Sequence, residues 1–114
     1  MRALYEEYKI ILERKNSIGD PGGQSYTRYL FNEGINKILK KIGEESAELI
    51  VAAKDAGTEG GAGRVVGETA DLLYHVLVML AELGLGLSDV EAELEARAAK
   101  RGNLKRAKEV DKST

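Results

Sequence analysis

The sequence predicts an all-α fold, an antiparallel helical bundle completed by dimerisation. Three observations carry that expectation. Ala, Leu, Glu and Lys dominate the 114 residues, and all four favour helix. One proline, Pro21, leaves almost nothing to interrupt a helix. Most of the 13 glycines gather at Gly22–Gly23, Gly57–Gly67 and Gly84–Gly86, where they punctuate helices. No segment shows strand alternation bounded by hairpin turns.

The first helix is expected over about residues 2–14, with Leu4, Tyr8, Ile11 and Leu12 on one face. A turn cluster around Pro21 ends it. Ser25 is a suitable N-cap for a short helix through Tyr26, Tyr29 and Leu30, which Gly34 closes. A long helix follows over about residues 35–56, with Ile35, Ile38, Leu39, Ile42, Leu49, Ile50 and Ala53 at a 3.6 period. Residues 58–63 read as a flexible connector. The next helix covers about residues 64–83 and is apolar nearly all round from Leu72 onward, the mark of a central helix. Ser88 and Glu91 suggest a capping box for a last helix that carries Val90 and Leu94 to about Arg101. With few long helices to enclose the central one, a second copy is expected to complete the core.

Length favours a single domain, expected over residues 1–101, with residues 102–114 as a frayed tail. The absence of cysteine excludes disulfides, thiolate metal sites and cysteine nucleophiles, and the single histidine excludes a multi-histidine metal site within one chain. A net charge of -2 argues against a dominant role in nucleic-acid binding. The charged N-terminus is no signal peptide, and the run from Leu72 to Leu87 carries His75 and Glu82 and is short for a membrane span. The expectation is a cytoplasmic protein without nucleic-acid or membrane partners.

The informative residues are acidic. Glu45 and Glu48 lie three apart on one helix, as do Glu68 and Asp71 on the next, so each pair shares a face. Antiparallel packing lets the two pairs converge. Glu45 also falls within the apolar stripe, between Ile42 and Leu49. An unpaired carboxylate there is costly or takes up a proton, and a divalent cation compensates it. Hard oxygen ligands without cysteine suit Mg²⁺ or Mn²⁺. Lys37, Lys40 and Lys41 precede the glutamates, the weaker order for helix stability. Lys37 and Lys41 lead toward the acids, a setting suited to a polyphosphate.

Plainer explanations stand beside these. The lysine–glutamate run also fits a solvated helix face. Glu68 and Asp71 fit acids favoured by the dipole in the first turns of their helix. His75, four residues after Asp71, fits a hydrogen-bonded structural histidine, and Tyr74 a core residue. The glycines near Gly60–Gly63 lack the Gly-Lys-Ser/Thr ending and preceding strand of a phosphate loop.

Glu44-Glu45-Ser46-Ala47-Glu48 and Glu68-Thr69-Ala70-Asp71 together resemble the signature of the all-α nucleoside triphosphate pyrophosphohydrolase (MazG-like) superfamily. Ser25-Tyr26-Thr27, Leu30-Phe31, Gly34, Lys37, Lys41, Gly43 and Ala70-Asp71-Leu72-Leu73-Tyr74-His75 narrow the resemblance to the phosphoribosyl-ATP pyrophosphohydrolase family of histidine biosynthesis. It extends over about residues 4–101. It implies hydrolysis of the α–β phosphoanhydride of phosphoribosyl-ATP to phosphoribosyl-AMP and pyrophosphate. A Mg²⁺-dependent homodimer is implied, with helices of both chains around each site. The chain looks like the stand-alone enzyme, without the cysteine-bearing cyclohydrolase partner. Gly22-Gly23-Gln24 before Ser25 is more glycine-rich than the family leads one to expect.

On that basis Glu45, Glu48, Glu68 and Asp71 are the expected Mg²⁺ ligands, and Glu44 the candidate proton acceptor or organiser of the hydration shell. Lys37 and Lys41 are expected to neutralise phosphate. Ser25, Tyr26 and Thr27 are expected to offer hydroxyls to a phosphate or ribose. Arg97 and Arg101, four apart, either hold the second ribose's 5′-phosphate or are surface charges. The rival functions are a house-cleaning nucleoside triphosphate pyrophosphohydrolase and a non-catalytic helical interaction dimer.

Overall fold

The computed structural model describes residues 2–16 and 25–108, with side chains described through Arg101. The turn cluster around Pro21, the Gly22-Gly23-Gln24 approach and residues 109–114 lie outside the described residues. Five helices follow in order: α1 (Arg2–Asn16), α2 (Tyr26–Glu33), α3 (Ile35–Lys54), α4 (Gly61–Glu82) and α5 (Leu87–Lys108). Among the described residues there is no strand, and no single helix is long and apolar enough to cross a membrane.

Periodicity explains which faces meet. Tyr8 and Ile11 of α1, Leu30 of α2, Ile38 of α3 and Leu77, Val78, Leu80 and Ala81 of α4 form the core. Ile11, Leu30, Ile38 and Val78 are the largest fully buried side chains, each stabilising the fold by about 1.5–3 kcal/mol through removal from water. Leu4, Leu12, Phe31, Ile42, Tyr74 and Met79 pack against them. Leu39 and Ile50, assigned to the same stripe from sequence, are exposed in the single chain, and Ala52 rather than Ala53 is buried.

Caps set the helix ends. Ser25 Oγ accepts the Arg28 N–H at 3.2 Å, the N-cap expected for α2. Gly34 closes α2 by donating its N–H to the Leu30 carbonyl, and its φ of 92° is open to glycine at little strain. At the end of α4 the Leu85 N–H bonds the Leu80 carbonyl around left-handed Gly84, a Schellman-type stop. Cations satisfy other terminal carbonyls: Arg28 donates to Lys15 O, and Lys15 to Ala81 O.

Three boundaries differ from expectation. The α3–α4 connector is a tight turn rather than a flexible linker, and α4 begins inside the glycine cluster at Gly61. Thr58 closes this turn, its N–H and hydroxyl both donating to the Asp55 carbonyl. The last helix starts at Leu87, so the cap is not the Ser88–Glu91 box. Instead the Asp89 carboxylate accepts the Gly86 N–H at 2.9 Å, the return half of a capping box one register earlier. The helix also passes the expected limit at Arg101 and runs through Lys108, into the segment read as a frayed tail. α5 leaves α4 at 112°, and its Val90 and Leu94 are exposed.

The tight turn generates a stability prediction. A Cβ on Gly61 would lie 2.3 Å from the Asp55 carbonyl oxygen and 2.6 Å from that of Ala56. Gly61→Ala should therefore destabilise the chain, by about 1–3 kcal/mol as in other overpacked sites. Gly63→Ala, with nothing within 4 Å of the new methyl, should stabilise it by about 0.5–1 kcal/mol. Thermal unfolding followed by circular dichroism should move the two midpoints in opposite directions.

Candidate active site

The turn between α3 and α4 centres on Thr58, and residues equally distant from it meet across the seam. Gly61 abuts Asp55, Arg64 shares a groove with Ala52, and Glu68 reaches Glu48. One turn before Glu48 lies Glu45, in the buried stripe of α3. One carboxylate oxygen from each of Glu45, Glu48 and Glu68 lies within 4.8 Å of the others. Asp71 is exposed and outside this trio, though near enough to act electrostatically on Glu45 and Glu68. The expected group of four is thus a group of three with Asp71 beside it.

The trio is electrostatically unbalanced. Glu45 is only 8% exposed. Its Oε2 and the Oε2 of Glu68 are shielded from solvent without a hydrogen-bond partner among the described residues. Burial pushes the Glu45 carboxyl above the ordinary range, followed by the charges of Glu48 and Asp71 and a hydrogen bond with Glu48; Lys41 acts in the opposite sense. Glu68 is raised by desolvation first, then by its hydrogen bond with Glu48 and the charges of Glu48, Glu45 and Asp71. The helix dipole does not account for Glu68 and Asp71. With α4 starting at Gly61, Glu68 is about two turns in, beyond the dipole's reach.

Two concavities flank the acids. On the α2 side, Tyr26, Tyr29, Lys37, Lys40, Lys41 and Glu44 line a cavity of about 300 Å³. Lys41 pairs with Glu44 at 3.6 Å, and Lys37 Nζ lies 5.9 Å from the Tyr29 ring centre. Lys41 is raised above the ordinary lysine range, first through the Tyr26 oxygen, with Glu44 and Glu45 adding to it and desolvation opposing. On the turn side, a groove of about 340 Å³ has Ala47, Val51 and Ala52 as apolar lining and Glu48, Asp55, Arg64 and Glu68 as polar lining.

The Ser-Tyr-Thr segment is tied down by α4. Tyr26 Oη meets His75 Nε2 at 2.9 Å, and Thr27 Oγ1 hydrogen-bonds the Tyr74 hydroxyl. Ser25 uses an oxygen lone pair as the cap, which leaves its own proton available. Of the three hydroxyls expected to be offered to a phosphate or ribose, those of Tyr26 and Thr27 are thus already hydrogen-bonded to α4. His75 is buried and bonded at both nitrogens, in keeping with a structural histidine. Arg97 pairs with Glu93 at 2.8 Å and Arg101 is exposed. Arg97 shares a groove with Leu80, which lies about 18 Å along α4 from Glu68. Within one chain, neither arginine joins the trio or the lysine cavity.

Sequence reasoning did not single out Tyr29, Lys40 or Arg64 as site residues. Spacing carried a signal for each: Tyr29 and Lys40 stand three beyond Tyr26 and Lys37, and Arg64 four before Glu68.

The family model for phosphoribosyl-ATP pyrophosphohydrolase matches residues 4–98. The chain belongs to this family. The phosphoribosyl-ATP pyrophosphatase of Pelotomaculum thermopropionicum is 54% identical over 94 residues, covering 82% of this chain and 89% of that relative. The same-named protein of Streptococcus thermophilus is 48% identical over 103 residues, covering 90% and 92%. That of Listeria welshimeri is 48% identical over 108 residues, covering 95% and 94%. The similarity to these pyrophosphatases therefore spans both acidic pairs and the lysine cavity.

The raised carboxyls set a pH dependence. A carboxyl raised on folding binds its proton more tightly in the native state, so native stability falls as pH rises from the unfolded value through the folded one. The metal-free chain should thus lose stability from about pH 4.5 upward through the raised values of Glu45 and Glu68. Glu45→Gln should flatten that slope and raise the midpoint near neutrality, by about 4–8 °C per kcal/mol relieved. Thermal unfolding across the pH series, with a chelator present, measures both effects.

Proposed function

We propose that this chain hydrolyses the α–β phosphoanhydride of phosphoribosyl-ATP to phosphoribosyl-AMP and pyrophosphate, the second step of L-histidine biosynthesis. The observation that carries the proposal is the Glu45–Glu48–Glu68 trio, with two buried oxygens lacking partners, beside a lysine-lined cavity, in a member of this family.

The trio suits a hard divalent cation. Its donors are carboxylate oxygens, the unpartnered pair needs positive charge, and Mg²⁺ is held in this way in many phosphate-handling sites. Glu45, Glu48 and Glu68 would hold it, with Asp71 completing the set; Mn²⁺ is the natural substitute. When bound, Mg²⁺ supplies positive charge to the phosphate oxygens and the departing pyrophosphate. Lys37 and Lys41 neutralise further phosphate charge from the adjoining cavity. Glu44, held by Lys41 at 3.6 Å, accepts a proton from the attacking water on a carboxylate oxygen. Ser25 retains a hydroxyl proton for a phosphate or ribose oxygen.

We further propose that the working form is a homodimer. The single chain has a radius of gyration of 17.5 Å, against about 13 Å for a compact domain of this length. Ile50, Val51, Val66 and Leu73 leave apolar surface on α3 and α4 uncovered, as do Val90 and Leu94 on α5. A second copy covering these faces also fits the distance of Arg97 and Arg101 from the trio of their own chain.

The primary test is pyrophosphate release from phosphoribosyl-ATP with Mg²⁺, compared with dUTP, dCTP and ITP. Preference for phosphoribosyl-ATP is expected. Preference for the others would instead support a house-cleaning enzyme, and no release from any nucleotide a non-catalytic dimer. Glu48→Gln or Glu68→Gln should abolish Mg²⁺-dependent release while helical circular dichroism is unchanged. Lys41→Ala should lower kcat/KM by about 1–3 kcal/mol of transition-state stabilisation. Light scattering on the purified chain should give twice the 12.4 kDa chain mass.

A further inference from the structure

His75 is the chain's one histidine, and it bridges the helix of the acids to the segment lining the lysine cavity. Its Nδ1 lies 2.8 Å from the Asp71 carbonyl oxygen. A carbonyl only accepts, so Nδ1 carries the proton. In the neutral ring Nε2 is then an acceptor, and the Tyr26 hydroxyl 2.9 Å away donates to it. With the ring neutral, the polarity of the chain runs from the backbone outward: Asp71 carbonyl, His75, Tyr26. Tyr26 is left with lone pairs, in the cavity that Lys37, Lys40, Lys41 and Glu44 also line.

We propose that His75 is a positioning residue. Anchored on the backbone of α4, it holds Tyr26 in the lysine cavity as a hydrogen-bond acceptor. This rests on the function proposed above and sharpens one residue's part in it. Tyr26 faces a ligand hydroxyl or amino group, not a phosphate oxygen, because its only proton is engaged. Of the two ligand groups expected for Tyr26 from sequence, the ribose hydroxyl remains and the phosphate is removed. Lys41 is another donor within the same cavity.

Packing alone does not explain the arrangement. The imidazole makes edge-on contacts with Tyr26 and Tyr74, at centroid distances of 5.8 and 5.0 Å. A phenylalanine or leucine would supply such contacts without bringing a polar ring out of water. The Thr27–Tyr74 hydrogen bond already ties α2 to α4. What His75 adds is the direction of one hydroxyl proton.

The test begins with the imidazole ¹⁵N spectrum, which contains a single histidine. Nδ1 should be protonated and Nε2 bare, and the Nε2 resonance should move in Tyr26→Phe. The opposite tautomer, or an Nε2 resonance indifferent to Tyr26→Phe, overturns the proposal. In turnover of phosphoribosyl-ATP, Tyr26→Phe and His75→Asn should each lower kcat/KM about tenfold, and the double variant should fall no further. Asparagine can keep the link to Asp71 but does not reach Tyr26. Glutamine reaches the Nε2 position with an acceptor oxygen, so His75→Gln should recover activity to within about threefold of the parent. Additive losses, or a His75→Gln chain as impaired as His75→Asn at equal melting temperature, also overturn it. A parent chain releasing no pyrophosphate would defeat the proposed function, while the spectrum still decides the His75–Tyr26 pairing.

Discussion

The structure depends on a crowding of like charge that its own backbone enforces. Glu45 sits where the buried stripe of α3 calls for an apolar residue, and the register of the α3–α4 turn brings Glu48 and Glu68 to it. That register is set at Gly61, where α4 passes so close to the carbonyls of Asp55 and Ala56 that no side chain fits. A chain selected only for stability would relieve the crowding with a leucine at Glu45 or a lysine at Glu68. Two oxygens are instead left buried and unpartnered, an arrangement that becomes favourable when positive charge arrives.

The rest of the molecule keeps the acids in place and sets cations at a controlled distance. Lys41 lowers the Glu45 carboxyl's tendency to hold its proton, yet its ion pair is with Glu44. Among the described residues the trio is therefore not neutralised by an ion pair. Helix α2 is short and would be marginal alone. It is fixed by the Ser25 cap, by Leu30 in the core and by the two hydrogen bonds from Tyr26 and Thr27 to α4. The lysine cavity is thereby referred to the same helix that carries Glu68 and Asp71.

Much of this was legible in the sequence, for local reasons. Three-residue spacing puts Glu45 with Glu48 and Glu68 with Asp71 on shared faces whatever the tertiary fold. Glu45 stands out because the apolar period predicts a hydrophobic side chain at that position. Ser25 and Gly34 are legible because a cap and a left-handed stop need those residue types. Less legible was what depends on distant backbone. Gly61 and Gly63 look like linker by composition, but the antiparallel register draws them into α4. Asp89 outcompetes the Ser88–Glu91 box because the Schellman stop at Gly84 sets where the chain can re-enter a helix. The hydrogen bonds that hold the Tyr26 and Thr27 hydroxyls were not legible because their partners, His75 and Tyr74, lie almost fifty residues away in sequence.

The placement of charge also bears on how a substrate would lie. A triphosphate spans several ångströms and carries its charge along its length, so a site with cations on one side and acids on the other orients it. On the function proposed, the lysine cavity would attract phosphate directly, whereas the trio would repel phosphate until a cation intervened. Binding of metal and of polyphosphate should then be mutually reinforcing, because each supplies the charge the other lacks. The apolar groove beyond Glu48, edged by Arg64 and Asp55, offers no comparable attraction for a phosphate chain. On that function, a polyanion would lie with its phosphates toward the three lysines rather than toward the groove where, among the described residues, Arg64 is the single cation beside Glu48, Asp55 and Glu68.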